Sequence, residues 1–173
     1  MNSTLLATLL FFSLTQWKIY KDLEGKFSIK TPCETMKHNS QIIKTSIGEL
    51  EYHSLICTPT ESEAENKVYI ISYMDYPSDI IHTDSTELRN DLLEETIAST
   101  VKNVEGELAY KDDVQLKGVK GKFWRINYNH NSAVLKNKAF IVGRRLYLVQ
   151  VATNRAKSRN LEADTYLDSF SWF

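Results

Sequence analysis

The sequence predicts an α+β domain in which strands, one long helix, further strands and a closing helix follow one another along the chain. Three observations carry this. β-rich or alternating runs recur on both sides of the chain's centre, apolar residues switch to three- and four-residue spacing after Asp84, and that spacing returns between Asn160 and Phe170. The length of 173 residues suits one domain rather than two. Folding at this size buries about 70% of the surface the unfolded chain exposes, so a core forms without metal or disulfide staples. With 42% hydrophobic and 25% charged residues the chain is globular, which excludes the disordered, collagenous and disulfide-dense classes.

The N-terminus begins Met1-Asn2-Ser3-Thr4 and continues in an apolar run from Leu5 to Leu14. A span needs about 20 apolar residues, so this run suits the central region of a secretory signal, with Ser13-Leu14-Thr15 as a small-x-small cleavage site. Residues 1–15 are therefore read as a signal peptide and 16–173 as a single exported domain, periplasmic or extracellular, with no transmembrane segment in the mature chain. The alternative is a buried N-terminal strand or helix.

Gly25 to Pro32 is the first expected strand, because Phe27, Ile29 and Thr31 alternate with polar neighbours after the turn-like Asp22-Leu23-Glu24-Gly25 and before a proline. Ile42 to Ile47, Leu50 to Thr58 and Lys67 to Tyr76 continue in the same style, with Gly48-Glu49 and the polar stretch Thr60 to Asn66 between them, and suggest an antiparallel meander. At Asp84 a capping box with Glu87 starts a helix whose Leu88, Leu92, Leu93, Ile97, Val101 and Val104 share one face. The helix stops before Gly106. Strands resume at Glu107 to Tyr110, Lys122 to Tyr128, Ala133 to Val142 and Arg145 to Val151, the last two joined by a tight turn at Gly143-Arg144. Gly118-Val119-Lys120-Gly121 reads as a turn. Leu161, Tyr166, Leu167 and Phe170 mark the closing helix.

Five segments carry a resemblance in order: Gly25-Lys26-Phe27-Ser28-Ile29 with Pro32, Tyr73-Met74-Asp75-Tyr76-Pro77, Gly118-Val119-Lys120-Gly121, Val142-Gly143-Arg144-Arg145-Leu146-Tyr147 and Leu167-Asp168-Ser169-Phe170. Together they resemble the landmarks of PsbP-like/Mog1-like domains, over roughly Trp17 to Phe173. The resemblance implies an αβα sandwich, a central antiparallel sheet of six to seven strands with helices on both faces, and a non-enzymatic accessory or binding module. Its landmarks are strand edges, turns and core positions, and no partner-docking motif accompanies them, so the partner stays open. An exported module of this kind implies a protein or another envelope-associated macromolecule.

The net charge of -1 hides an asymmetry. Glu49 to Asp113 holds sixteen acidic and four basic residues, whereas Val114 to Leu161 holds eleven basic and no acidic ones. Arg125, Lys136 and Lys138 fall on one strand face if the turn at Asn129 to Ser132 sets that register, and Arg144 and Arg145 extend it at the hairpin tip. These five are the candidate binding residues, a basic surface for an anionic partner. The alternative is that they pair internally with the acidic helix beginning near Glu87. Nucleic acid is not expected, since the basic segment lacks a helix-turn-helix, finger or stacking signature.

Cys33 and Cys57 are the only cysteines, and their spacing fits no zinc, redox or haem motif. They form either one disulfide or two separate buried thiols. His38, His53, His82 and His130 are scattered, and no Walker, Gly-x-Ser-x-Gly or dinucleotide pattern appears, so neither metal nor cofactor is expected. The rival to a binding module is a small ligand-binding or hydrolytic enzyme using Asp75, His82 and His130 in a cleft.

Overall fold

The computed structural model describes residues 17–45, 47–61, 64–81 and 86–173, so the proposed signal segment, the Asp84 cap and His82 lie outside the described residues. Among the described residues ten strands and two α-helices follow in the order β1 (Lys18–Asp22), β2 (Phe27–Thr31), β3 (Lys37–Thr45), β4 (Gly48–Cys57), β5 (Val68–Asp75), α1 (Thr86–Asn103), β6 (Glu107–Leu116), β7 (Val119–Tyr128), β8 (Ala133–Val142), β9 (Arg145–Asn154), α2 (Leu161–Ser169) and β10 (Ser171–Trp172). A 3-10 turn at Arg155–Lys157 precedes α2. Seven strands form one sheet in the order β3-β4-β5-β9-β8-β7-β6, and three form a second in the order β1-β2-β10. Every pairing is antiparallel.

The expected α+β sandwich with a central antiparallel sheet is what the chain builds. α1 packs over β7 and β8 on one sheet face, and α2 packs with β2 on the other. Each face owes its core to strand alternation. Leu55, Ile71, Val149 and Val151 meet Phe27, Ile29, Tyr166 and Phe170 beneath α2. Leu135, Ile126, Ile141 and Leu146, from the opposite face, meet Leu92, Leu93 and Ile97 of α1.

Three expectations need correction. The first strand, β2, does not join the β3-β4-β5 meander; it pairs with β1 and β10, two short strands whose burial patterns show no apolar alternation. β3 begins at Lys37 rather than Ile42, and β6 continues to Leu116 rather than ending at Tyr110. Both are sheet-edge strands, exposed along most of their length, so neither needs the alternation by which a half-buried strand is read. The segment from Gly118 to Gly121 is mostly strand: only Lys117 and Gly118 make the turn, with φ of 47° and 81°. Positive φ at both central residues suits the two-residue turn whose twist matches the flanking strands, and glycine meets that demand without a steric cost. Gly121, by contrast, sits within β7 because a Cβ there would stand 2.3 Å from the Ala139 carbonyl oxygen.

α2 falls where the closing helix is expected, and the structure adds its N-cap: Asn160 accepts a hydrogen bond from the Ala163 amide at 2.8 Å. Among the described residues no helix is long and apolar enough to cross a membrane.

Candidate functional site

The strand cations come first. Arg125 lies directly opposite Lys136, and Phe123 opposite Lys138, so Arg125, Lys136 and Lys138 do share one face of the sheet. That face is the one α2 covers. Lys136 is 8% exposed and its Nζ donates to Asp164 Oδ1 at 2.9 Å, while Lys138 Nζ donates to Asp168. Arg125 Nε donates to Asn127 Oδ1 at 3.3 Å. Arg144 and Arg145 sit at the other end of β8, about 20 Å from Lys136 at the usual strand rise. Arg144 Nη1 donates to the Tyr76 carbonyl at 2.9 Å, and Arg145 forms a forked pair with Asp75 at 2.7 and 2.6 Å.

The five cations therefore do not make one open basic surface, because each is engaged by a group of the same chain. The counterions of Lys136 and Lys138 come not from the helix beginning near Glu87 but from α2, and that of Arg145 is Asp75 of β5. The basic stretch from Val114 to Leu161 ends just before Glu162, Asp164 and Asp168, so counting charge by segment separated these lysines from their partners. One signal was available: Lys136 and Lys138, two apart on a strand, span about 7 Å, and Asp164 and Asp168, four apart on a helix, span about 6 Å.

The groups of the enzymatic reading are dispersed. Asp75 pairs with Arg145 at the start of β9, whereas His130 lies in the turn before Ala133, which pairs with Asn154 at the end of β9. Nine residues of strand separate the two positions, about 30 Å. The hydrogen bonds from Arg145, opposed by partial burial, hold the Asp75 carboxyl below the usual range, so it stays ionised rather than acting as a proton donor. Its true surroundings form a column that the sequence did not disclose. His38 stacks on His53 with ring centroids 5.6 Å apart, His53 stacks on Tyr73 at 4.6 Å, and the Arg145 guanidinium lies 4.8 Å from the Tyr73 ring. These four come from β3, β4, β5 and β9, and only sheet register brings them together. Among the described residues no group of three or more His, Cys, Asp or Glu is placed to hold a metal ion.

Cys33 and Cys57 are joined by a disulfide with Cα atoms 5.8 Å apart. It ties the bend after β2 to the end of β4.

The concave feature lies on the opposite face. α1 packs chiefly over β7 and β8, with Leu92 reaching Leu146 of β9, which leaves much of β9, β5 and β4 open beside it, and the edge strand β3 forms a second wall. The result is a cleft of about 730 Å³. Val68, Ile70 and Met74 of β5 and Leu146 and Leu148 of β9 make its floor; Ile43, Tyr52 and Leu92 stand in its walls. Its polar groups largely satisfy one another. The Tyr52 hydroxyl meets Ser72, and the Tyr76 hydroxyl meets Thr96. Burial, with the Glu95 carboxylate nearby, pushes Tyr76 up to about 12, so it stays a neutral phenol. Gln150 Nε2 donates to Asn137 Oδ1 at 2.8 Å, and Asn137 Nδ2 donates to the Trp124 and Leu135 carbonyls. This cleft offers apolar surface edged by hydroxyls, and among its lining residues Lys44 and Glu95 alone carry a charge at neutral pH. It suits binding. The sequence missed it because one wall is the edge strand β3, most of which carries no strand pattern, and the other is a flank of α1 whose place over the sheet only the register between elements sets.

No family model and no curated protein matches the sequence. Among solved structures, cyanobacterial PsbP (CyanoP) from Synechocystis sp. PCC 6803 superposes with a TM-score of 0.60 at 12% identity, covering 97% of this chain and 99% of that one. A protein of unknown function from Pseudomonas aeruginosa, PA94, a putative regulator, gives a TM-score of 0.39 at 11% identity over 82% and 85% of the two chains. The first similarity shows that the chain has the PsbP fold.

Proposed function

We propose that this domain is an exported, non-enzymatic accessory module that holds part of a macromolecular partner in the cleft between α1 and β3. The observation that carries the reading is the open apolar floor formed by Ile70, Met74 and Leu148 on a face where α1 packs chiefly over β7 and β8. Monomeric domains rarely leave continuous apolar surface open without a use for it. The PsbP fold supports the same reading, since the resemblance to PsbP-like/Mog1-like domains implies accessory binding rather than catalysis. The engagement of Asp75 with Arg145 and its distance from His130 weigh against hydrolysis. Recognition of an anion by Lys136 and Lys138 would first have to break their pairs with Asp164 and Asp168, which weighs against the basic strand face as the contact surface.

A photo-crosslinking residue placed at Ile70 in the cleft, and a second placed at exposed Leu161 on α2 as a control, test this in the native host. Adducts with one macromolecule are expected from the Ile70 position only. No adduct there, or equal adducts from both positions, would sink the reading. Export is tested separately by mass spectrometry of the mature chain, where an intact Met1 in a cytoplasmic fraction argues against it.

A further inference from the structure

The seven-stranded sheet ends in two edges of different character. β6 is guarded: its pairing with β7 shifts register between Leu108 and Tyr110, and Asp112 and Asp113 sit in mid-strand. Bulges and edge charges of this kind block further strand addition. β3 carries no such break. Its pairing with β4 runs unbroken from Lys37 to Thr45, and the five central residues Asn39 to Ile43 carry no charge. Ile42 stands 63% exposed in this stretch. Along about 30 Å of strand the outward amides and carbonyls meet no other strand among the described residues.

We infer that β3 is a self-pairing edge, on which a second copy of this chain adds its own β3 antiparallel across a dyad at Ile42. Two copies related by a dyad normal to the sheet keep their faces aligned only if opposed residue numbers sum to an even value. A dyad at Ile42 sets Ile42 against itself, Gln41 against Ile43, and Ser40 against Lys44. This register also matches charge. Ser40 Oγ donates to Glu51 Oε1 at 2.8 Å within one copy, so the Lys44 that arrives opposite Ser40 comes beside the partner's Glu51. Within one copy the Lys44 side chain is 88% exposed and pairs with Glu49 at 3.9 Å, an exposed contact that it can exchange for the carboxylate of the second copy at little cost. Moving the dyad to Gln41 instead sets Lys44 against His38 and Ile42 against Ser40, gaining neither the carboxylate nor the apolar pair. On the other face the partner's Ile43 comes beside Gln41, so each copy lengthens the β3 wall of the other's cleft. The inference does not depend on what the cleft holds.

One strand pair with flanking side chains buries less than a standard interface of about 1,600 Å², so the dimer is weak and concentration-dependent. Sedimentation equilibrium over micromolar to millimolar protein tests it, with far-UV circular dichroism confirming that each variant is folded. The wild type is expected to pass from monomer to dimer. Lys44→Glu and Glu51→Lys, each of which removes two symmetric ion pairs and sets like charges together, are expected to raise the midpoint about tenfold or more. The double variant Lys44→Glu/Glu51→Lys restores the pairs with reversed sign and is expected to return close to the wild-type midpoint. A wild type that stays monomeric throughout overturns the inference. So does a dimer indifferent to both single reversals, or a double variant no better than either single one. An edge that binds an extended peptide of another protein while two copies fail to associate overturns it as well.

Discussion

Arg145 shows how one side chain closes the rim of the sheet. It bonds both Asp75 carboxylate oxygens, donates through Nη1 to the Glu24 carbonyl at 2.7 Å, and lies over the Tyr73 ring. An arginine can satisfy all three together because its fork is planar and its face stacks on aromatic rings, which a lysine cannot reproduce. The Asp75 carboxyl is held below the usual range chiefly by the hydrogen bonds from Arg145, against the opposing effect of burial. A carboxyl with a depressed folded-state pKa contributes stability above its unfolded value of about 3.9, and that contribution is lost as the pH falls through the lower folded value. Because the Asp75 side chain is 49% exposed, solvent screens much of the pair. Asp75→Asn should therefore lower stability by only about 1 kcal/mol at pH 7. Urea unfolding of both proteins at neutral pH and again near pH 2 checks this. The gap should close in acid, and a gap of equal size at both values would mean that the side chain acts through packing rather than charge.

Helix α2 fits its sheet face through two lysine–aspartate pairs spaced alike on strand and helix, Lys136 with Asp164 and Lys138 with Asp168. The pairs are unequal in their two halves. The Lys136 side chain is 10% exposed and that of Asp164 56%, so removing the carboxylate strands a buried ammonium, whereas removing the ammonium leaves a carboxylate that water can reach. Asp164→Ala is expected to cost about 1 to 3 kcal/mol, and Lys136→Met to change stability by less than about 1 kcal/mol in either direction. Equal losses in thermal or urea unfolding would contradict that asymmetry. Much of the architecture was legible at this scale because buried elements mark the chain: α1 and α2 each have one apolar face, the central strands β5, β8 and β9 are apolar on both, and each was located. The elements that escaped were β1, β10 and the full lengths of β3 and β6, where exposure removes the pattern. The site escaped for a related reason. A cleft walled by an edge strand, or a ring column drawn from four strands, exists only in the register between elements, which no single segment of sequence encodes. The shared face of Arg125, Lys136 and Lys138 could be read from parity, but not which helix would cover it.

At the scale of the molecule the small sheet and the large one are joined in three ways. The packing of Phe27 and Ile29 against Tyr69, Tyr147 and Phe170 makes β2 part of the same core as the seven-stranded sheet. The hydroxyl of Tyr147 donates to the Gly25 carbonyl at 2.7 Å across the same boundary. The Cys33–Cys57 disulfide then crosslinks the two sheets covalently, from just after β2 to the end of β4, over a sequence separation of 24. Cysteine count alone left the bond and two separate thiols equally open, since only the fold brings the two Cα atoms within bridging distance. Closing a loop of this length restricts the unfolded chain and contributes about 3 kcal/mol. For a domain of this size that corresponds to a fall of roughly 6 to 12 °C in midpoint when the link is absent. The double variant Cys33→Ser/Cys57→Ser should show that fall by calorimetry or circular dichroism. If the disulfide were what holds the small sheet in place, the variant would unfold in two steps, the small sheet first. Phe27 is fully buried and Ile29 1% exposed within a core shared by both sheets, so the small sheet cannot leave without opening that core. The variant should therefore unfold in one transition, shifted downward, with the calorimetric and van't Hoff enthalpies in agreement. A separate low-temperature step would show instead that the crosslink, and not the shared core, makes the two sheets one cooperative unit.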